Sequence, residues 1–396
     1  MPTVLRLHTP DSPGIITFTH SEALWGVPAL SKRARSFLES EHQDGNWIFG
    51  VHVQGDCSFL DSWPLQDWQT FVMWPNVDDH FLRLVPAERR IGLNCVNFMP
   101  HNLVQQSDSN GKTDVIVVSR AAHIKGISNS VEIVRELLRL RPVTTFTFVV
   151  PDPRQWSGRR KSPKGFDQSF FTMARQLFLS RELTQITFIS SSQESFGLFP
   201  LGDGAMANLI SDSKILLLNS VSEGTPRVIA EALLVGRPPA IPDKLRTGID
   251  SELDSSNTIR LPPDNNEAAQ LLASVLDGES KIQIDLEKVK NYFSEESNLP
   301  TLKNRLTALA GTADENTWLL EDLHLRLACH GQKLNYQIMN SDQEFFSWMA
   351  KAESASTQDA DLDEDYFFPE GQIQDKARVR VRTLRTYQRI KRKIGH

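Results

Sequence analysis

The chain has 396 residues, of which 40% are hydrophobic, 23% charged and 8 tryptophan. That is enough for two ordinary domains, each with its own core, and it excludes collagen-like, repeat-array and wholly disordered chains. A net charge of −6 argues against a general nucleic-acid binder.

Cys57, Cys95 and Cys329 are odd in number and far apart, so neither a disulfide framework nor a zinc site is indicated. No apolar run approaches the roughly 20 residues of a bilayer span, and Met1 to Gly14 lacks an apolar stretch behind a basic start. The expectation is a cytoplasmic protein without a membrane anchor.

In chain order, Gly14 to His20 predicts a strand, Trp25-Gly26-Val27-Pro28 a glycine turn, and Leu30 to Leu38 a helix. Asn46 to Val53 and Trp68 to Trp74 are further strands, and Leu93 to Pro100 another extended stretch. The polar run Gln105 to Lys112 marks a boundary between lobes. Beyond it, Asp114 to Val118, Phe146 to Val150, Gln185 to Ile189 and Lys214 to Leu218 predict strands. Helices are expected over Ser130 to Leu140 and Phe170 to Leu179. Continuous apolar strands alternating with helices suit a parallel sheet covered on both faces. Helical patterns return at Trp318 to Tyr336 and Gln343 to Lys351, followed by an acidic and then a basic run.

The segment Ser222-Glu223-Gly224-Thr225-Pro226-Arg227-Val228-Ile229-Ala230-Glu231-Ala232-Leu233 follows a strand and opens a helix. Thr225 is expected as the N-cap, Pro226 as the first helical residue, and Gly236 with Pro238 as the stop. A helix that starts at the carboxyl end of a parallel strand offers unpaired N–H groups to phosphate oxygens, and Gly224 lets that backbone come close. Glu223 lies before the helix and Glu231 about two turns into it. One carboxylate can then face a group beyond the phosphates while the other reaches the nucleoside.

This segment resembles the Glu-x7-Glu element of the family 4 (group 1) glycosyltransferases. A second element, Ser119-Arg120-Ala-Ala-His-Ile-Lys125-Gly126, is similar to that family's Arg…Lys-Gly signature. The resemblance implies an α/β GT-B fold of two Rossmann-like lobes with parallel sheets. The expected order is an abbreviated acceptor-side lobe over 1–110, a nucleotide-sugar lobe over 111–310, a helical extension over 311–352, and an acidic then basic, partly disordered tail over 353–396.

It also implies roles: Glu223 on the donor sugar, Glu231 on the ribose, and Arg120 and Lys125 beside the pyrophosphate as cations in place of a metal. Gly26 resembles the family's first-lobe glycine loop. The family's first-lobe histidine falls among His20, His80 and His101, with His80 placed first because it follows the strand end at Trp74 and Pro75. The implied donor is a UDP- or GDP-sugar with no further cofactor, and the acceptor a hydroxyl of a glycan, lipid-linked or protein substrate. Retention of configuration belongs to the same expectation. An epimerase of the same fold and a non-catalytic sugar-nucleotide-binding scaffold are the alternative readings.

Three Asp-x-Asp patterns between Asp359 and Asp365 lie in a solvated acidic run and read as linker. His324, Cys329 and His330 lack ligand spacing. Nine basic residues between Lys376 and Lys393 have three readings: contact with an anionic membrane surface, contact with an acidic partner, or pairing with the acidic run itself.

Overall fold

The computed structural model describes residues 2–53, 65–74, 83–100, 103, 112–119, 123–150, 178–189, 201–279, 282–311, 315–328 and 341–357. Arg120, His80, His101, Cys57, Cys329, His330, most of the helix expected at Phe170 to Leu179, the boundary run 105–111 and the tail beyond 357 lie outside them.

The first sheet has five strands in sequential order: β1 Thr3–Arg6, β2 Gly14–Thr19, β3 Trp47–His52, β4 Gln69–Met73 and β5 Arg90–Ile91. β2 to β5 are mutually parallel and β1 is an antiparallel edge. Side chains alternate between faces. Val4, Ile16, Phe18, Trp47 and Phe49 pack to one side, and Leu5, Ile15, Ile48, Phe71 and Met73 to the other. Helix α1, Lys32–Gln43, begins later and runs longer than expected from sequence, because the Ser31 side chain caps it by accepting from the Ala34 N–H at 3.2 Å.

The second sheet has six parallel strands: β6 Thr113–Val118, β7 Phe146–Val149, β8 Ile186–Ile189, β9 Ser213–Leu217, β10 Pro239–Pro242 and β11 Ile259–Leu261. Their order in space is β11-β10-β9-β6-β7-β8. The chain winds outward from β6 through β7 and β8, then crosses to β9 and winds the other way, which is a doubly wound sheet. Both faces are covered. Helices α2 Ile127–Leu140 and, further along, α5 Asn265–Leu276 pack over Val115, Val117, Phe146 and Phe148. Helices α3 Asp203–Ser211, α4 Arg227–Leu234, α6 Leu286–Phe293 and α7 Glu295–Ala310 pack over Ile116 and Leu216.

After α7 the chain returns to the first sheet. Leu7 N–H donates to the Thr317 carbonyl at 2.8 Å and Leu319 N–H to the Leu5 carbonyl at 3.0 Å, laying this segment along β1. Helix α8, Leu323–Arg326, follows, and α9, Asp342–Thr357, sets Phe345, Trp348 and Met349 into the core of the first sheet. Of the stretch expected as an extension over 311–352, the described residues 315–319 and 342–352 therefore dock on the first lobe.

Arg6 fastens the crossover. Its fully buried guanidinium donates to the Pro13, Ala310 and Gly311 carbonyls at 2.7–3.1 Å and lies 5.1 Å from the Trp318 ring centre. A cation at the last carbonyls of α7 also meets the negative end of that helix's dipole.

Four local expectations are corrected. The glycine turn at Trp25-Gly26-Val27-Pro28 is instead a π-helical turn, Glu22–Gly26, running into Val27–Ala29, with Gly26 buried in right-handed helical conformation. Leu93 to Pro100 is not extended; Asn94 caps a 3-10 turn over Cys95–Phe98 by accepting from the Val96 N–H at 3.0 Å. The helix after Glu223 begins at Arg227 with Pro226, rather than Thr225, as its cap residue, one place later than expected. Around Trp318, the described residues hold a 3-10 turn, Glu315–Thr317, and the single α-turn α8 rather than a long helix.

Candidate functional site

β6 and β9 are adjacent at the point where the winding of the second sheet reverses, and the loops leaving their carboxyl ends diverge there. Such a switch point is the ligand crevice of open α/β sheets. The loop after β6 carries Lys125 and Gly126; the loop after β9 carries Ser220, Glu223, Gly224 and Thr225.

The two loops are held together by backbone. Val221 N–H donates to the Ile124 carbonyl at 2.9 Å. Gly126, at φ +58°, lies so close to Asn219 that an added Cβ would sit 1.7 Å from its carbonyl oxygen. Only glycine satisfies both the left-handed conformation and the approach. The turn Ile124-Lys125-Gly126 is thereby pressed onto the exit of β9, and Lys125 Nζ reaches Glu223 Oε1 at 2.6 Å. Ser220 Oγ donates to the same oxygen at 2.6 Å. The pair is mostly shielded, with side chains 18% and 11% exposed, so its attraction is less screened than that of a surface pair.

Glu231, on the second turn of α4, is buried. Its Oε1 accepts from Arg227 Nη2 at 3.1 Å, and the same nitrogen donates to Asp203 Oδ1 at 2.7 Å. Asp203 Oδ2 in turn meets His324 Nε2 at 2.7 Å. Burial, together with the nearby Asp203 charge, raises the Glu231 carboxyl above the ordinary range despite Arg227. Burial would also raise Asp203, but the His324 hydrogen bond and the Arg227 charge outweigh it and hold Asp203 below the ordinary range. Arg227 is held above its usual value: burial opposes its charge, and the two carboxylates overcome that opposition.

Cys95 Sγ lies 3.8 Å from Thr225 Oγ1, so the turn that follows the first sheet touches the Glu223–Glu231 segment.

Of the residues expected from sequence, Lys125, Glu223, Gly224 and Thr225 gather at the switch point, and Pro226 and Glu231 follow on α4. Gly26 belongs to the first lobe, beyond the end of β2. His20, the described member of the three candidate histidines, follows β2 directly, and burial lowers it to about 4. Sequence reasoning missed Ser220, Asp203 and Arg227, and it weighed His324 only as a metal ligand. Nothing in the local sequence marks Asp203 or His324, because their partners are more than 20 residues away. Among the described residues no three His, Cys, Asp or Glu side chains converge as metal ligands.

No family model matches this chain, and no curated protein matches it. Solved structures do. The pneumococcal O-GlcNAc transferase GtfA in complex with UDP and GlcNAc superposes with a TM-score of 0.50 at 14% identity, over 69% of this chain and 55% of GtfA. HepE of Anabaena in complex with UDP gives 0.47 at 13% identity, over 69% and 82% of the two chains. Sucrose-phosphate synthase from Thermosynechococcus elongatus gives 0.47 at 15%, over 68% and 71%. This chain spans about half the length of GtfA. At this identity the likeness speaks to architecture. The fold is GT-B: two α/β lobes built on parallel sheets, the second doubly wound.

Proposed function

We propose that the chain is a glycosyltransferase of the family 4 type that moves a sugar from a UDP- or GDP-sugar to an acceptor hydroxyl. One observation carries the reading: Lys125 and Glu223, from loops 98 residues apart, meet at 2.6 Å at the switch point of the second sheet. A cation and a carboxylate there match, respectively, a diphosphate and a sugar hydroxyl. That GtfA and HepE were solved with UDP agrees with this reading.

In this scheme the diphosphate rests over Gly224 and the N–H groups at the start of α4. Lys125, which has three N–H donors and uses one on Glu223, gives the others to the phosphates. With Arg120 it offsets charge that builds on the departing nucleoside diphosphate, without a metal ion. Glu223 accepts from a sugar hydroxyl and Glu231 from the ribose. The acceptor, a glycan, lipid-linked or protein hydroxyl, enters between the lobes and attacks on the face that the phosphate leaves, with retention. No protein nucleophile is needed, and catalysis consists of positioning and charge stabilisation.

The test is calorimetric titration of the wild type and Glu231→Ala with UDP, GDP, ADP and their glucose, mannose and N-acetylglucosamine forms. One nucleotide should bind selectively and weaken about tenfold or more in the variant. A well-folded sample that binds none of them sinks the proposal. Sugar isomerisation without acceptor would indicate an epimerase, and binding without transfer across an acceptor panel a non-catalytic scaffold.

A further inference from the structure

Helix α8 is anchored on two sides. Toward the first lobe, the Leu327 carbonyl at its end accepts a hydrogen bond from His52, which closes β3 and whose Nδ1 lies 3.1 Å from Thr17 Oγ1. Toward the second lobe, His324 reaches Asp203, the first residue of α3. His324 is 1% exposed, and among the described residues its other ring nitrogen, Nδ1, has no hydrogen-bond partner. The imidazole is thus committed to one acceptor.

Asp203 shares a single nitrogen of Arg227 with Glu231. A guanidinium beside one carboxylate could swing to face it squarely with two N–H groups. Here Asp203 takes the same Nη2, so among the described residues Glu231 is engaged through Oε1 and Oε2 is left for a ligand.

We propose that Asp203 and His324 are positioning residues for the donor site, which through Arg227 hold the Glu231 carboxylate in the orientation that reads ribose hydroxyls. The proposal rests on the donor-site reading of Glu231 given above. It gives the returning C-terminal segment a part in nucleotide recognition, although His324 lies more than 90 residues beyond Glu231 in sequence. Because His52 holds the same helix from the first sheet, the docking of the two lobes and the aim of Glu231 are set by one chain of contacts.

The experiment compares binding of UDP, GDP and ADP with binding of their 2′,3′-dideoxy forms, for the wild type, Glu231→Ala, Asp203→Asn, His324→Leu and His324→Gln, each checked for folding by thermal melt. The wild type should prefer the ribose form of its nucleotide about tenfold or more, and Glu231→Ala should abolish the preference. Asp203→Asn and His324→Leu should cut the preference by about threefold or more while leaving affinity for the dideoxy form within about twofold.

His324→Gln, whose amide N–H takes the place of Nε2, should restore the preference. A general loss of structure would weaken both nucleotide forms together. The inference is overturned if Asp203→Asn and His324→Leu keep the wild-type preference, or lose both forms equally. If the wild type has no ribose preference, or Glu231→Ala keeps it, the donor-site reading itself fails and the inference falls with it.

Discussion

Lys125 Nζ lies 2.6 Å from Glu223 Oε1, and the contact exists because two loops converge where the winding of the second sheet reverses. Replacing Lys125 by Ala removes the cation and, among the described residues, leaves Glu223 with Ser220 as its remaining hydrogen-bond donor. Loss of a positioned charge of this kind is expected to lower turnover by about 100-fold, with a smaller effect on donor affinity. Steady-state transfer kinetics with the donor found by titration check this; unchanged turnover in Lys125→Ala would remove Lys125 from the mechanism. Lys125→Arg should recover only part of the rate, since the planar fork cannot serve Glu223 and a phosphate from one point.

Gly126→Ala tests how the loops are joined. An added Cβ would sit 1.7 Å from the Asn219 carbonyl oxygen at φ +58°, so the turn must move and take Lys125 with it. The expected result is a loss of about 2 kcal/mol in stability and about tenfold in nucleotide affinity. Gly45→Ala is the control. Its φ of +75° carries the left-handed strain, but nothing lies within 4 Å of the added Cβ. It should cost about 1 kcal/mol and leave nucleotide binding as it was. Equal losses of affinity in the two variants would show that contact with Asn219 does not matter.

The contrast between these glycines also shows what was legible in the sequence. The strands β2, β3, β4, β6, β7, β8 and β9 are short apolar runs bounded by turn residues, and periodicity finds them. The Glu223–Glu231 segment and Lys125-Gly126 are local patterns, so both could be read before their meeting was known. The strands β1, β5, β10 and β11 are short and edge-placed or proline-flanked, and they are strands because a neighbour pairs with them. Trp25-Gly26 looked like a turn because glycine next to Val-Pro usually breaks helices; instead Glu22 folds back to accept from Thr19 N–H and Oγ1 at 3.0 and 3.1 Å, which starts a helical turn. The network from Glu231 to His324 was invisible for a different reason. Its members come from three separate helices, and only the tertiary fold brings them together.

Arg6 gives a prediction about the crossover. Arg6→Met removes the buried donors from three carbonyls, at Pro13, Ala310 and Gly311, of which the bond to Ala310 is fully buried, which should cost about 3 kcal/mol or more. Urea unfolding would show the loss as a lower midpoint. Arg6→Lys should not restore it, because one ammonium cannot span carbonyls on both sides of the crossover. A Lys variant as stable as the wild type would mean that the charge, rather than the fork, is what matters.

His52 makes folding sensitive to acid. Burial, with smaller contributions from the N-terminal amine and His20, lowers it from 6.5 to about 3, although the hydrogen bond to Leu327 works the other way. The sign follows from proton counting. Below pH 6.5 the unfolded chain takes up a proton that the folded chain refuses until about pH 3, so stability rises with pH across that window and is lost on acidification. His20, lowered to about 4, acts in the same direction over a narrower window. At pH 5 the His52 contribution amounts to about 2 kcal/mol relative to neutral pH. His52→Gln keeps a polar group at the junction of β3 with Thr17 and α8 but cannot titrate, so it should lose less stability than the wild type between pH 7 and pH 5. Urea unfolding of both proteins at the two pH values measures this directly. An identical loss in the two proteins would mean that His52 takes up its proton equally in folded and unfolded chains, contrary to its burial between the first sheet and α8.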